Sequence, residues 1–315
     1  MFDEDDSRRF ARHLPPVEAP DSIWTAIQAG LNSSSGARTP GPAWRPRLAA
    51  GLAVMAVLAA FALWFAARRT RAWEVVRLDG TPSVGSRHIA ATGKIREGEW
   101  LQTDAASRAE IKVGAIGIVD VEPNTRVRLT AARPSEHRLM LARGDIRATV
   151  SAPPRLFLVD TSASTAVDLG CAYTLHVEDS GSGVLRVTLG SVSLEWEGRE
   201  SLVPAGAMCR TRPHAGPGTP YFEDASSELK AAVGEFDADG EAPALARILA
   251  ESRPRDTLTL WHLLSRVDGP DRGRVLDRIV TLEPSLAIAL PRAELLGLDR
   301  KELDRLQQEL GRLWR

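Results

Sequence analysis

Twenty consecutive residues, Leu48 to Ala67 (LAAGLAVMAVLAAFALWFAA), carry no charge. As a helix rising about 1.5 Å per residue, such a run matches the roughly 30 Å hydrocarbon core of a bilayer, where a helix satisfies its own backbone polar groups. A core helix of a soluble domain shows an apolar stripe opposite a polar one, whereas this run is apolar all round. The expectation is a transmembrane helix over 48–67. A secretory signal peptide is the competing reading, opposed by the 47 residues ahead of the run and by its length, since signal cores span roughly 7 to 15 residues. Trp44, Trp64 and Trp73 fall where interfacial aromatics belong. Arg38, Arg45 and Arg47 precede the run while Arg68, Arg69, Arg71 and Arg77 follow it, so flanking charge does not set the orientation.

A span there leaves 248 residues (315 − 67) behind it, enough for one or two domains. The formal net charge of −1 gives no general attraction to nucleic acid. None of the six histidines, His13, His88, His137, His176, His214 and His262, stands at metal-ligand spacing, and no nucleophile elbow, P-loop or C-x-x-C is present. Ser162 and Ser164 read as turn hydroxyls, and Asp3 to Asp6 as a solvated charge run. The chain therefore reads as non-enzymatic, with no cofactor and no metal.

Residues 1–47 are short, polar and broken by Pro15, Pro16, Pro20, Pro40, Pro42 and Pro46. Asp21 is placed to cap a short helix on which Ile23, Trp24, Ile27 and Leu31 share one face. A segment this small cannot bury a core, so the stripe reads as a docking face for a partner, a strip lying on the membrane, or incidental helicity in a disordered tail.

Behind the run the apolar period becomes two. Ile111 and Val113 alternate with polar neighbours, an apolar strand runs from Ala115 to Val121, and Val127, Leu129, Leu139 and Leu141 continue the pattern. No helical period intervenes from about 74 to 210, which indicates an all-β sandwich or roll rather than an α/β fold. Glycines 144, 170, 190 and 206 stand at strand boundaries, where positive φ or a close backbone crossing is expected. Asp168, just before Leu169-Gly170, reads as a turn residue bonding its own backbone.

Several blocks here carry a resemblance. They are Gly98-Glu99-Trp100-Leu101-Gln102-Thr103-Asp104, Arg108 to Ile111, Gly144 to Val150, Phe157 to Thr161, Val167 to Cys171, Val187 to Val192 and Val203 to Gly206. Together, over about 85–210, they resemble the FecR domain family. That resemblance implies a periplasmic β domain behind a single span in the bacterial inner membrane. It further implies a cytoplasmic tail acting on a sigma factor when the periplasmic part senses an outer-membrane protein. In that compartment Cys171 and Cys209 are expected to form a disulfide, against the alternative of two buried free thiols.

A linker rich in proline and glycine is expected at 211–224, followed by an α-helical domain at 225–315. Its signals are Ser226 or Ser227 as a cap, Pro243 and Pro270 as helix openers, Asp256 as a cap, and Asp299 with Glu302 as a capping box. Five or six helices follow. This helical region departs from the best-known FecR proteins, and the tail carries no zinc-type anti-sigma motif. The organisation expected is thus a cytoplasmic tail (1–47), a span (48–67), a FecR-like β domain (74–210), the linker and the helices. The function expected is that of a transmembrane signal transducer, with a membrane-anchored envelope scaffold as the alternative.

Overall fold

The computed structural model describes residues 72–288 and 291–314. The expected tail and span lie outside these residues, and among the described residues no helix is long and apolar enough to cross a membrane.

The chain enters with β1 (Ala72–Asp79), two short strands β2 (Ser83–Val84) and β3 (Arg87–His88), then β4 (Thr92–Arg96) and β5 (Trp100–Gln102). Next come β6 (Arg108–Val113), β7 (Gly117–Val121), β8 (Arg126–Arg133) and a long β9 (Glu136–Val150). The second half holds β10 (Phe157–Asp160), β11 (Thr165–Asp168), β12 (Ala172–Val177), β13 (Gly183–Leu189) and β14 (Ser191–Trp196). It closes with β15 (Arg199–Pro204), β16 (Ala207–Arg212), β17 (Gly216–Pro217) and β18 (Tyr221–Phe222). The apolar run expected to begin at Ala115 begins at Gly117, because Gly114 to Ile116 form the turn between β6 and β7.

These strands form two sheets that share β9. One sheet runs β4-β1-β6-β7-β9-β12-β13-β16, with β17 and β18 beside β16, and every pairing in it is antiparallel. The other runs β3-β2-β5-β8-β9-β10-β11-β14-β15, with β9 and β10 parallel. The first half of β9 pairs with β8 and β10, and the second half, from Gly144 on, with β7 and β12. Gly144 is the bend that allows this. Its φ is +90°, and a Cβ there would lie 2.3 Å from Thr125 Oγ1 and 2.5 Å from Thr125 Cα. Thr125 Oγ1 fills that space and accepts the Asp145 N–H at 2.9 Å. Glycines 144, 170, 190 and 206 all have positive φ, as their places at strand boundaries suggest. Alternate residues of both sheets point into a shared core that includes Val75, Ile111, Leu129, Leu139, Ile146, Phe157, Tyr173 and Leu185.

Six α-helices follow among the described residues: α1 (Ser227–Asp239), α2 (Ala242–Glu251), α3 (Thr257–Leu264), α4 (Gly269–Leu282), α5 (Arg292–Leu296) and α6 (Arg300–Leu310). Ser226 Oγ caps α1 by accepting the Leu229 N–H, and Asp299 caps α6 by accepting the Glu302 N–H. Asp256, expected as a side-chain cap, instead turns its buried carboxylate back to accept the Arg253 N–H and Nε–H at 2.9 and 2.8 Å. Seven of the eight residues of α3 are buried, which makes it the central helix.

The segment expected to be a linker, 211–224, is built into the fold. It contains β17 and β18, and Thr211, Gly216, Pro217, Thr219, Pro220, Tyr221 and Phe222 are buried. Proline and glycine serve there as tight corners under a packed seam. Arg266 of α3's C-terminal turn, its side chain 10 % exposed, donates to Ser201 Oγ (2.7 Å), Gly218 O (2.9 Å) and Thr219 Oγ1 (3.0 Å), with Asp237 Oδ1 at 3.5 Å. Asp237 in turn accepts from Thr219 N–H and Oγ1–H, both at 2.7 Å, and its carbonyl from Arg212. His262 Nε2 meets the Leu202 carbonyl of β15 at 3.1 Å. Sheet and helices share one core.

Candidate functional site

Cys171 and Cys209 are buried free thiols, and the expected disulfide is absent. The register explains why. Cys171 immediately precedes Ala172, which pairs with Leu189 at the end of β13, whereas Cys209 on β16 pairs with Leu185. Two strand spacings across and about four residues along separate them, well beyond the roughly 7 Å between Cα atoms that a disulfide spans. Cys171 Sγ–H donates to Asp168 Oδ2 at 2.6 Å, and Cys209 Sγ–H to Gly218 O at 3.2 Å. Burial drives the Cys171 thiol pKa up, the neighbouring Asp168 adding to it, and burial pushes Cys209 up to about 12. Both remain protonated at neutral pH and are poor nucleophiles.

Asp168 does what its place in the sequence suggests. Its Oδ1 accepts the Gly170 N–H at 2.7 Å in a tight turn, and desolvation raises its pKa. The turn lies against the next one, since a Cβ on Gly190 would come within 2.2 Å of Gly170 O. Ser162 and Ser164 are likewise turn residues: Ser162 Oγ donates to Gly181 O, and the Ser164 N–H donates to Thr161 Oγ1. Among the described residues no group of three or more His, Cys, Asp or Glu side chains is arranged to hold a metal ion. The docking candidates Ile23, Trp24, Ile27 and Leu31 lie outside the described residues.

What the structure assembles, and sequence periodicity did not single out, is the outer face of the first sheet. Strand pairing sets one cross-strand row as Glu110-Asp120-Arg147-Thr174-Arg186-Met208, from β6 to β16. A parallel row reads Lys112-Ile118-Thr149-Ala172-Leu189. Ile118 and Leu189, 37 % and 67 % exposed, are two of the three large hydrophobic residues left exposed among the described residues, and the third, Leu78, ends β1 of the same sheet. Glu110, Asp120, Arg147, Arg186 and Arg210 make no salt bridge or side-chain hydrogen bond. The cations nearest the two acids are already engaged, Lys112 with Glu74 at 2.9 Å and Arg108 with Glu122 at 2.8 Å. Two carboxylates directly opposite one another, as Glu110 and Asp120 are, repel. The face thus mixes both signs over β6, with Arg108, Glu110 and Lys112, carries Asp120 on β7 opposite Arg147 on β9, and is basic over β13 and β16, with Ile118 and Leu189 exposed in the neighbouring row.

Alternation marks each of these residues as outward-facing, but only the strand order reveals that they are neighbours. At its basic end the face runs into a cleft of about 480 Å³ lined by Arg186, Met208, Arg210, Tyr221 and Lys230, with Gly234 of α1 on its wall. Chemically, the whole surface is suited to charge-complementary docking with a modest apolar contact.

Residues 99–193 match the model of the family described as FecR protein, and this match covers less than a third of the chain. No curated protein matches. Two crystal structures of a candidate anti-sigma factor from Parabacteroides distasonis are similar at 13 % and 14 % identity. Each covers 42 % of this chain, and 63 % and 62 % of their own chains, at a TM-score of 0.35. The chain thus spans under two thirds of those structures, a likeness too partial to carry a functional assignment. The family match begins at β5, passes through the β9 bend and the Asp168 turn, and ends in β14. Residues 99–193 of this chain thus match the FecR family model, within a larger β-body.

Proposed function

We propose that the chain is a membrane-anchored signal transducer of the FecR type. The single observation carrying this reading is the FecR match over 99–193, lying behind an uncharged run of twenty residues at 48–67. In this reading the β-body and its helices are periplasmic and residues 1–47 cytoplasmic, the chain being a single-pass protein of the bacterial inner membrane. The β-body senses a periplasmic or outer-membrane protein, and the tail acts on a sigma factor through the face bearing Ile23, Trp24, Ile27 and Leu31. In this reading the protein is a regulator and not an enzyme. Protonated, buried thiols and turn-bound serines support that absence of chemistry.

Two experiments test the reading with the full chain. Alkaline phosphatase joined behind Arg315 is expected to be active, and inactivity there overturns the orientation. The packed 211–224 seam is the wrong place for that reporter, since an insertion would break the fold. Trp24→Ala is expected to abolish co-purification of a sigma factor from solubilised membranes while leaving the protein membrane-bound; undiminished co-purification would remove the tail from this role.

A further inference from the structure

We infer that the end of the first sheet at which the described chain begins is a lipid-facing surface, resting on the bilayer that the 48–67 run is proposed to cross. The inference deepens that reading and depends on it. Strand pairing defines the end. Glu74, two residues behind Ala72, lies in one cross-strand row with Lys112, Ile118, Thr149, Ala172 and Leu189, so β6, β7, β9, β12 and β13 all start or finish level with Ala72. The Ser151 N–H donates to Ile116 O at 2.7 Å, the Val150 N–H donates to Cys171 O at 3.0 Å, and the Gly190 turn lies against Gly170. These contacts join the turns into one rim.

Segments 113–119, 148–154, 169–175 and 187–194 build the rim and contain no Asp, Glu, Lys or Arg, in a chain where 26 % of residues are charged, so four such turns side by side call for a reason. Ile118 and Leu189 are exposed there, as are Ala115, Pro153 and Pro154. Lys112 and Arg155, which border the rim, are paired with Glu74 and Glu195. Asp120, Arg147 and Arg186 stand about 7 Å further back, in the next outward row. The opposite end of the sheet carries Asp79, Asp104, Glu122, Asp145, Glu178 and Asp179. Charged groups stay in water, whereas apolar surface gains by entering the membrane interface, so the two ends differ as a membrane-facing and a water-facing end should.

Chain length supplies the occupant. Five peptide steps separate Ala67 from Ala72, a reach of at most about 18 Å. A body tethered that closely keeps its entry end within reach of the bilayer, and the resulting effective concentration lets a weak apolar contact persist. Trp73, which its place in the sequence assigns to the interface, is folded into the core at 4 % exposure, so the interfacial contact falls to the exposed residues of the rim.

The test uses the full chain in vesicles of phosphatidylcholine and phosphatidylglycerol doped with a nitroxide-headgroup lipid. An environment-sensitive fluorophore is placed on Leu189→Cys, on Pro153→Cys or, at the far end, on Ser180→Cys; the native thiols are buried and stay unlabelled. The nitroxide is expected to quench the Leu189 and Pro153 positions at least about threefold more than Ser180, because interfacial residues sit within about 5 to 10 Å of the headgroup boundary. Ile118→Glu combined with Leu189→Glu, both at exposed positions, should bring quenching at Pro153 down to the Ser180 level while the chain still floats with the vesicles. Equal quenching at the two ends of a chain that floats, or quenching at Pro153 that ignores the two glutamates, overturns the lipid contact and leaves the span standing. A chain that does not float removes span and contact together. A Leu189 position shielded from aqueous iodide yet unquenched by the nitroxide lipid would put a protein on the rim and likewise overturn the proposal.

Discussion

His262 has its ring in the core and its Nε2 on the carbonyl of Leu202, an atom of the strand at the open edge of the second sheet. The neutral ring donates there, so protonation would add a charge with no solvent to receive it. Burial, reinforced by the nearby Arg266 guanidinium, holds its pKa down to about 3. Below the ordinary value near 6.5 the unfolded chain takes up a proton that the folded one refuses. The stability this residue supplies is therefore complete above about pH 6.5 and is lost progressively as pH falls toward 3, at roughly 1 kcal/mol per pH unit. Urea titrations at pH 7 and pH 5 should show the loss, and His262→Gln, which keeps a donor, should flatten it. The residue scale is also where sequence reading succeeds and fails most clearly. Asp168 followed by a glycine was legible as a turn because its partner is two residues away. The state of Cys171 and Cys209 was not, because it depends on which strands are neighbours.

At the scale of elements, β9 carries the most weight. Gly144 gives it a backbone that an L-residue resists, at a place already occupied by Thr125. Gly144→Ala is expected to destabilise the protein by at least about 2 kcal/mol, combining positive-φ strain with the clash, and calorimetry should register the drop. Strands as a class were readable from their period of two, and helices from caps and opening prolines. Two elements escaped for physical reasons. The short β17 and β18 lack room for alternation, and their proline and glycine signal a corner whether that corner is solvated or packed. The outer-face rows escaped because alternation reports which side a residue faces and nothing about its lateral neighbour.

For the whole molecule, the question is what fastens the helices to the sheets. Arg266 gathers three oxygens from β15 and the segment after β17 while facing Asp237 of α1. Arg266→Met removes a buried cation and leaves Asp237 facing an apolar stem, with an expected cost of about 3 to 5 kcal/mol. Hydrogen exchange should then show amides of α1 and α3 opening while those of β9 and β12 stay protected. Unchanged protection in α1 and α3 would mean that the apolar contacts alone hold the seam.

β9 runs unbroken through both sheets, and this has a mechanical corollary. Two layers that merely rest against each other are free to slip, but here covalent backbone bridges them, so a load applied to either is delivered to the other without slack.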